Sequence, residues 1–324
     1  MRILLTHSPD ARELYYGERA LAGLRRLGEV KLHEGAAPLE GEALIAAAAD
    51  CDLIVSYRQS AGPAELFQRL PKLIAFLRCA IDIRNVDVAA ASKAGVLVTQ
   101  ASAGFVTAVA EMVLGFLIDL SRGITRSTME YRAGRVPKAE MGRELKGSTL
   151  GVIGYGAIGK EVVRIGRALA MRVLVHDPYQ RVEQVPLEEL LAKADYVVPL
   201  AVATAETENL IGERAFSLMK RGAYLINVSR GNLVDEQALE SALDAGKLAG
   251  CAMDVGRAPD QMPTPRLAAR PDVIATPHTA GLTLPAIEHQ SLETVAQADE
   301  IVKGRAPKGS VNAEHWTRKS RVGR

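Results

Sequence analysis

Cysteine, tryptophan and the other aromatics are scarce in this chain, with three cysteines, one tryptophan and 4% aromatic residues in 324. Cys51, Cys79 and Cys251 are odd in number, far apart and set among apolar neighbours. That pattern fits buried reduced thiols and gives neither a disulfide framework nor a metal-ligand spacing, so no metal site is expected. So few rings leave little to stack on nucleic-acid bases, and no single charge sign dominates. The 40 basic and 38 acidic residues leave a net charge of +2, which excludes the basic footprint of a nucleic-acid partner. Only the closing run Arg318-Lys-Ser-Arg-Val-Gly-Arg324 is locally basic, and it is expected to be a frayed, solvated terminus. No apolar run approaches the roughly 20 residues that span a bilayer. Met1-Arg-Ile-Leu-Leu-Thr-His7 leads directly into a strand pattern without a secretory leader. A membrane partner is therefore not expected, and the expected location is cytoplasmic.

What is present is an ordinary globular composition, 48% hydrophobic and 24% charged, in a chain long enough for two cores. Apolar runs at 3–5, 30–32, 53–55, 73–77 and 96–98 alternate with helical patterns through Leu14, Leu21 and Leu24 and through Leu44 and Ile45. This alternation predicts a small parallel α/β sheet covered on both faces. A long helical pattern at 105–121 reads as a packed connector, and 128–147 is polar and glycine-containing. A second series of six strands follows at 150–153, 172–175, 196–199, 223–228, 250–253 and 273–275. Six strands in this pattern predict a doubly wound Rossmann domain. A last helical pattern at 284–302 carries the chain back to the first domain. The expected domains are thus 1–99 with 285–324, discontinuous in sequence, and 100–284.

The second series opens with Leu150-Gly-Val-Ile-Gly-Tyr-Gly-Ala-Ile-Gly-Lys160. Gly154 permits the tight turn, Gly156 leaves room for a pyrophosphate, and Gly159 lets the next helix pack on its strand. Tyr155, Ala157 and Ile158 complete a loop whose amides face the phosphates. Val162, Val163, Ile165 and Leu169 recur at helical spacing, and Asp177 falls eighteen residues beyond Gly159 at the end of the next strand. A carboxylate there accepts hydrogen bonds from an adenosine ribose and repels a 2′-phosphate, which makes NAD the expected cofactor.

In open α/β sheets ligands bind beyond the carboxyl ends of the strands. Three such ends carry Val228-Ser229-Arg230-Gly231, Asp254 and Thr276-Pro-His-Thr-Ala-Gly281, and Val228, Ser229, Arg230, Asp254 and His278 are expected to contact the cofactor. Reduction of a carbonyl by a nicotinamide requires a proton donor, which His278 can be, and a fixed cation for the carbonyl and carboxylate oxygens, which Arg230 can be. The implied substrate is a 2-oxo acid.

These motifs, in this order and spacing, resemble the D-isomer-specific 2-hydroxyacid dehydrogenases. With Asn85-Val-Asp87 and Val311-Asn312 the resemblance extends over essentially the whole chain. It implies interconversion of a 2-oxo acid and a D-2-hydroxy acid, and a flavodoxin-like substrate domain beside the Rossmann domain. It further implies Arg230 as substrate anchor, His278 as acid/base, Asp254 at the nicotinamide end and a homodimer formed through the nucleotide domains. Ala80, Ile81 and Arg84 then fall on the substrate loop. Two departures stand out. Relatives carry Asp-Val-Phe-x-x-Glu-Pro, the glutamate paired with the histidine, whereas Asp254-Val-Gly-Arg-Ala-Pro259 is one residue shorter and has Ala258 at that place. Asp260 is the nearest substitute acid and Asp254 the second. The Gly-x-Gly of the substrate loop is replaced by Ala80 and Asp82. The missing glutamate supports an alternative, an NAD(H)-sensing binding protein of the same fold with weak or no catalysis. Formate or phosphite oxidation on this fold is a third reading.

Overall fold

A computed structural model describes residues 1–322. The chain divides into two compact units, one made of Met1–Phe105 and the chain from Leu282 onward, the other of Val106–Gly281. The sequence pattern sets the junctions at 99/100 and 284/285. Residues 100–102 stay with the first unit because their amides are committed there: Gln100 N–H donates to Gly309 O, Ala101 N–H to Arg78 O, and Ser102 N–H to the Glu293 carboxylate at 2.6 Å.

In the first unit, β1 (Arg2–Leu5), β2 (Glu29–Leu32), β3 (Leu53–Ser56), β4 (Ala75–Arg78) and β5 (Leu97–Gln100) form a parallel sheet in the order β2-β1-β3-β4-β5. β3 and β4 are buried at every position, the reason they read as unbroken apolar runs. Successive side chains enter opposite cores. Ile3, Leu5, Val55 and Leu77 pack with Leu24 and Ile301, while Leu4, Ile54 and Phe76 pack with Leu44 and Phe67. The helix Leu284–Val302 closes the first of these cores, with Thr294 Oγ1 3.0 Å from Tyr16 Oη. The basic tail departs from its expected frayed state. Trp316 is buried and donates to Ile74 O, and Arg318 donates to the carbonyls of Leu70 and Leu73 at 2.7 Å each. Leu70 O also accepts Leu73 N–H, so the Arg318 guanidinium clasps the turn that leaves the helix Ala64–Arg69. Gly323 and Arg324 of that run lie outside the described residues.

The first unit also encloses two basic side chains. Arg78 is fully buried, donates to Tyr57 O and Asn85 Oδ1, and loses basicity by desolvation, to about 10. His7 is fully buried with its ring 5.0 Å from those of Tyr16 and Tyr57, and burial lowers its pKa to about 3. The unfolded chain takes up this proton below pH 6.5 and the native chain does not. Stability supplied by neutral His7 is therefore full above that pH. It drains by about 1.4 kcal/mol per pH unit as the pH falls from 6.5 toward 3. His7→Phe is expected to flatten this slope in urea titrations at pH 7 and pH 4.5; an unchanged slope would contradict it.

In the second unit, β6 (Thr149–Ile153), β7 (Arg172–His176), β8 (Tyr196–Pro199), β9 (Ala223–Asn227), β10 (Leu248–Met253) and β11 (Val273–Ala275) form a parallel sheet in the order β11-β10-β9-β8-β6-β7. The chain runs from β6 outward to β7 and then back to β8 on the other side, so the switch point lies at the carboxyl end of β6. Leu190, Val197, Ile211, Leu225, Leu239 and Cys251 are among the buried residues of its core. The helix Val106–Arg122 belongs to this unit, burying Val109, Val113, Phe116 and Leu117. The helix Ile124–Arg132 has no counterpart in the sequence pattern and buries none of its residues. Among the described residues no helix is long and apolar enough to cross a membrane, and no cluster of His, Cys, Asp or Glu could hold a metal ion.

Candidate active site

The glycine turn at the switch point separates into two crowded positions and one open one. Gly154 has φ +103, and a Cβ there would lie 2.6 Å from the backbone of Leu200. A Cβ on Gly159 would lie 2.2 Å from Gly154 O, so the helix Ala157–Ala168 rests directly on the turn. A Cβ on Gly156 would meet nothing within 4 Å. Gly156 caps the helix without a side-chain hydrogen bond, and the first turn has no acid. The helix therefore presents uncompensated amides and the positive end of its dipole. An open Gly156 before such a helix fits a pyrophosphate. Gly156→Val is accordingly expected to keep the melting temperature and weaken NADH binding by tenfold or more, on the order of the 1.4 kcal/mol that factor represents. Gly159→Val should lower the melting temperature; equal effects of the two on stability would refute the distinction.

Asp177 lies one residue past β7 and is 9% exposed. Its Oδ2 accepts Tyr155 N–H at 2.6 Å and its Oδ1 accepts Tyr179 N–H at 2.9 Å. A carboxylate has about four acceptor directions; one is committed to tying the glycine loop to the end of β7 and one to the turn that follows Asp177. Sequence spacing alone did not indicate this second duty.

On the other side of the sheet, Asn227 ends β9 and is fully buried. Its Oδ1 accepts Ser229 N–H at 3.1 Å and its Nδ2 donates to Arg230 O at 3.0 Å, which folds the turn carrying the arginine. Ser229 Oγ donates to Ala201 O, Val228 is buried, and Arg230 Nη1 donates to Ser229 O at 2.7 Å. Asp254, after β10, is fully buried and accepts three hydrogen bonds. Thr276 Oγ1 donates at 2.7 Å, Thr279 N–H at 2.8 Å and Ala280 N–H at 2.9 Å. This clamp holds the turn in which His278 adopts φ +55, with His278 N–H on Asp254 O.

The imidazole has an acceptor, but of a different kind from the one expected. His278 Nδ1 lies 2.7 Å from the main-chain carbonyl of Asp260, while the Asp254 carboxylate serves the turn. A main-chain acceptor carries no residue-type signal, so Asp260 and Asp254 stand out in the sequence only as side-chain acids. Asn227 and Thr276 were also missed; an asparagine at a strand end before a turn is the local signal that marks the former.

In the first unit, the segment after β4 places Ala80 O on Ala101 N–H and leaves Ile81 38% exposed. Arg84 is held by Asp82, with Nη2 2.6 Å from Oδ2 and Nε 3.0 Å from both oxygens. Such a solvent-facing pair contributes under about 1 kcal/mol.

The sequence model of the D-isomer specific 2-hydroxyacid dehydrogenase NAD binding domain matches residues 114–280. The glyoxylate reductase of Korarchaeum cryptofilum is 32% identical over 315 residues, covering 92% of this chain and 93% of that protein. The D-3-phosphoglycerate dehydrogenase of Methanocaldococcus jannaschii is 31% identical over 91% of this chain, which spans 57% of that relative's length. A D-lactate dehydrogenase from Aquifex aeolicus, solved with NAD and lactic acid, superposes with a TM-score of 0.78 at 28% identity over 97% of each chain. The apo-structure of the Escherichia coli D-lactate dehydrogenase gives 0.82 at 27% identity over 96% of this chain and all of that one. The chain belongs to the D-isomer specific 2-hydroxyacid dehydrogenase family and is an NAD-dependent oxidoreductase.

Proposed function

We propose that this chain reduces a 2-oxo acid to the D-2-hydroxy acid, with Arg230 as substrate anchor and His278 as proton donor. The observation that carries the reading is the short contact between His278 Nδ1 and Asp260 O. It fixes one face of the ring and leaves Nε2 to serve the substrate oxygen. Bound NADH supplies the hydride. The Arg230 guanidinium binds carboxylate and carbonyl oxygens as a fork, and the Asp254 clamp keeps the histidine turn in place. Ala80, Ile81 and Arg84 are the first unit's proposed substrate contacts.

The absent glutamate was the argument for a sensor. With a carbonyl already at Nδ1, the imidazole retains an orienting partner, and no observation favours that reading. The test is a panel of 2-oxo acids, including glyoxylate, hydroxypyruvate and sulfonated or doubly acidic analogues, with NADH and NADPH. Steady NADH oxidation on a panel member supports the proposal. Tight NADH binding without turnover opposes it, and a kcat/KM favouring NADPH overturns the role of Asp177 at the ribose.

We further propose that two copies pair through the segment containing the helix Ile124–Arg132. Met129, Tyr131, Val136 and Met141 are 58%, 64%, 84% and 99% exposed, more apolar surface in one stretch than a lone chain usually shows to water. Sedimentation should give a dimer for the native chain and a monomer for the double variant Met129→Glu, Met141→Glu; an unchanged dimer places the interface elsewhere.

A further inference from the structure

The loop that ends at Asp260 is built more firmly than its exposed position requires. Gly256 N–H donates to Gln261 O at 2.8 Å and Ala258 N–H to Met262 O at 3.0 Å, closing it on itself. At the tip, Asp260 and Gln261 both have φ +57, a conformation that aspartate enters more readily than most residues and that glutamine rarely adopts. This double left-handed step accompanies the Asp260 carbonyl's contact with the histidine ring.

Two side chains tie the closed loop to the rest of the unit. Glu236, 9% exposed in the first turn of the helix Glu236–Asp244, accepts Arg257 N–H on Oε1 and Thr264 Oγ1 on Oε2, each at 3.0 Å. Arg257 spreads its guanidinium over Glu208 Oε1 at 2.8 Å, Asn209 Oδ1, and the carbonyls of Asn232 and Val234 at 3.1 and 3.2 Å. A Cβ on Gly231 would stand 2.0 Å from Gly256 O, so the Arg230 turn abuts the same loop.

We infer that Arg257 and Glu236 are positioning residues that hold the Asp260 main-chain carbonyl against His278 Nδ1, and that this carbonyl replaces the family's carboxylate partner. The inference rests on the proposed acid/base role of His278. A carbonyl only accepts, so it pins the neutral ring in the Nδ1–H tautomer and turns the Nε2 lone pair outward. In the charged ring the same contact leaves Nε2–H as the donor. A carbonyl neither titrates nor rotates away as a side chain does, so the orientation persists over the whole working pH range.

The test is nitrogen-15 NMR of the histidine rings in the full chain, with His278→Asn identifying the signal and kinetics run in parallel. His278 should appear as the Nδ1–H tautomer when neutral. Asp260→Asn keeps the carbonyl and should keep that tautomer. Arg257→Gln should produce a tautomer mixture and a fall in kcat of roughly 10- to 100-fold, by analogy with the loss of a partner that orients a metal-bound histidine. KM for NADH should change little. Thr264→Val, which removes one tie, should move the same readouts less and guards against a misfolded Arg257 variant. A neutral Nε2–H ring, loss of the tautomer in Asp260→Asn, or an unmoved tautomer in a folded Arg257→Gln each overturns the inference. Near-normal turnover in His278→Asn would instead defeat the acid/base reading while leaving the tautomer measurement intact.

Discussion

Replacing His278 should abolish most reduction of the 2-oxo acid, by about 10²- to 10⁴-fold in kcat, the usual contribution of a positioned proton donor. The choice of replacement matters because φ at this position is +55. Alanine and glutamine are strained there, whereas asparagine tolerates the left-handed region. His278→Asn therefore removes the donor with little backbone cost, and the Asp254 clamp, made to Thr276, Thr279 and Ala280, stays intact. NADH affinity should hold, because the glycine loop and Asp177 lie at the other end of the sheet order, on β6 and β7. A variant that binds NADH and fails at turnover, in single-turnover absorbance traces, is the expected outcome. Turnover near that of the native chain would remove His278 from the mechanism.

The second large effect is expected at Arg230. A lysine keeps the charge but offers a point donor in place of a planar fork. Arg230→Lys should therefore lose roughly 2–4 kcal/mol of transition-state binding, the scale of one or two charged hydrogen bonds. That is about 30- to 1000-fold in kcat/KM. The turn itself is folded by Asn227 through main-chain atoms of Ser229 and Arg230, so the variant should keep its melting temperature. A lowered melting temperature with near-normal kinetics would make the arginine structural.

The fold was legible because strands buried on both faces leave continuous apolar runs, as at residues 53–55, and because Gly154 and Gly159 are required by contacts no other residue permits. The helix Ile124–Arg132 was not legible. It buries nothing, so its sequence lacks the periodic stripe that marks a packed helix. The tail was misread because Arg318 is basic in composition but acts through hydrogen bonds to two carbonyls, which a count of charges does not represent. At the proposed site, Arg230, Asp254 and His278 follow the ends of β9, β10 and β11, where the sequence pattern has them. The partner of the imidazole could not, since a main-chain carbonyl belongs to every residue and marks none.

The close approach of Gly231 and Gly256 has a mechanical consequence. With only hydrogen-sized space between the turn bearing Arg230 and the loop touching His278, neither can shift without displacing the other. The turn that carries the arginine and the loop that touches the imidazole are thus borne on one rigid saddle, which fixes the backbones beneath the two side chains. Amides of the two segments should open to hydrogen exchange together, as a single cooperative unit. Under the proposed roles, the supports of substrate anchor and proton donor move as one, which reduces the search between them.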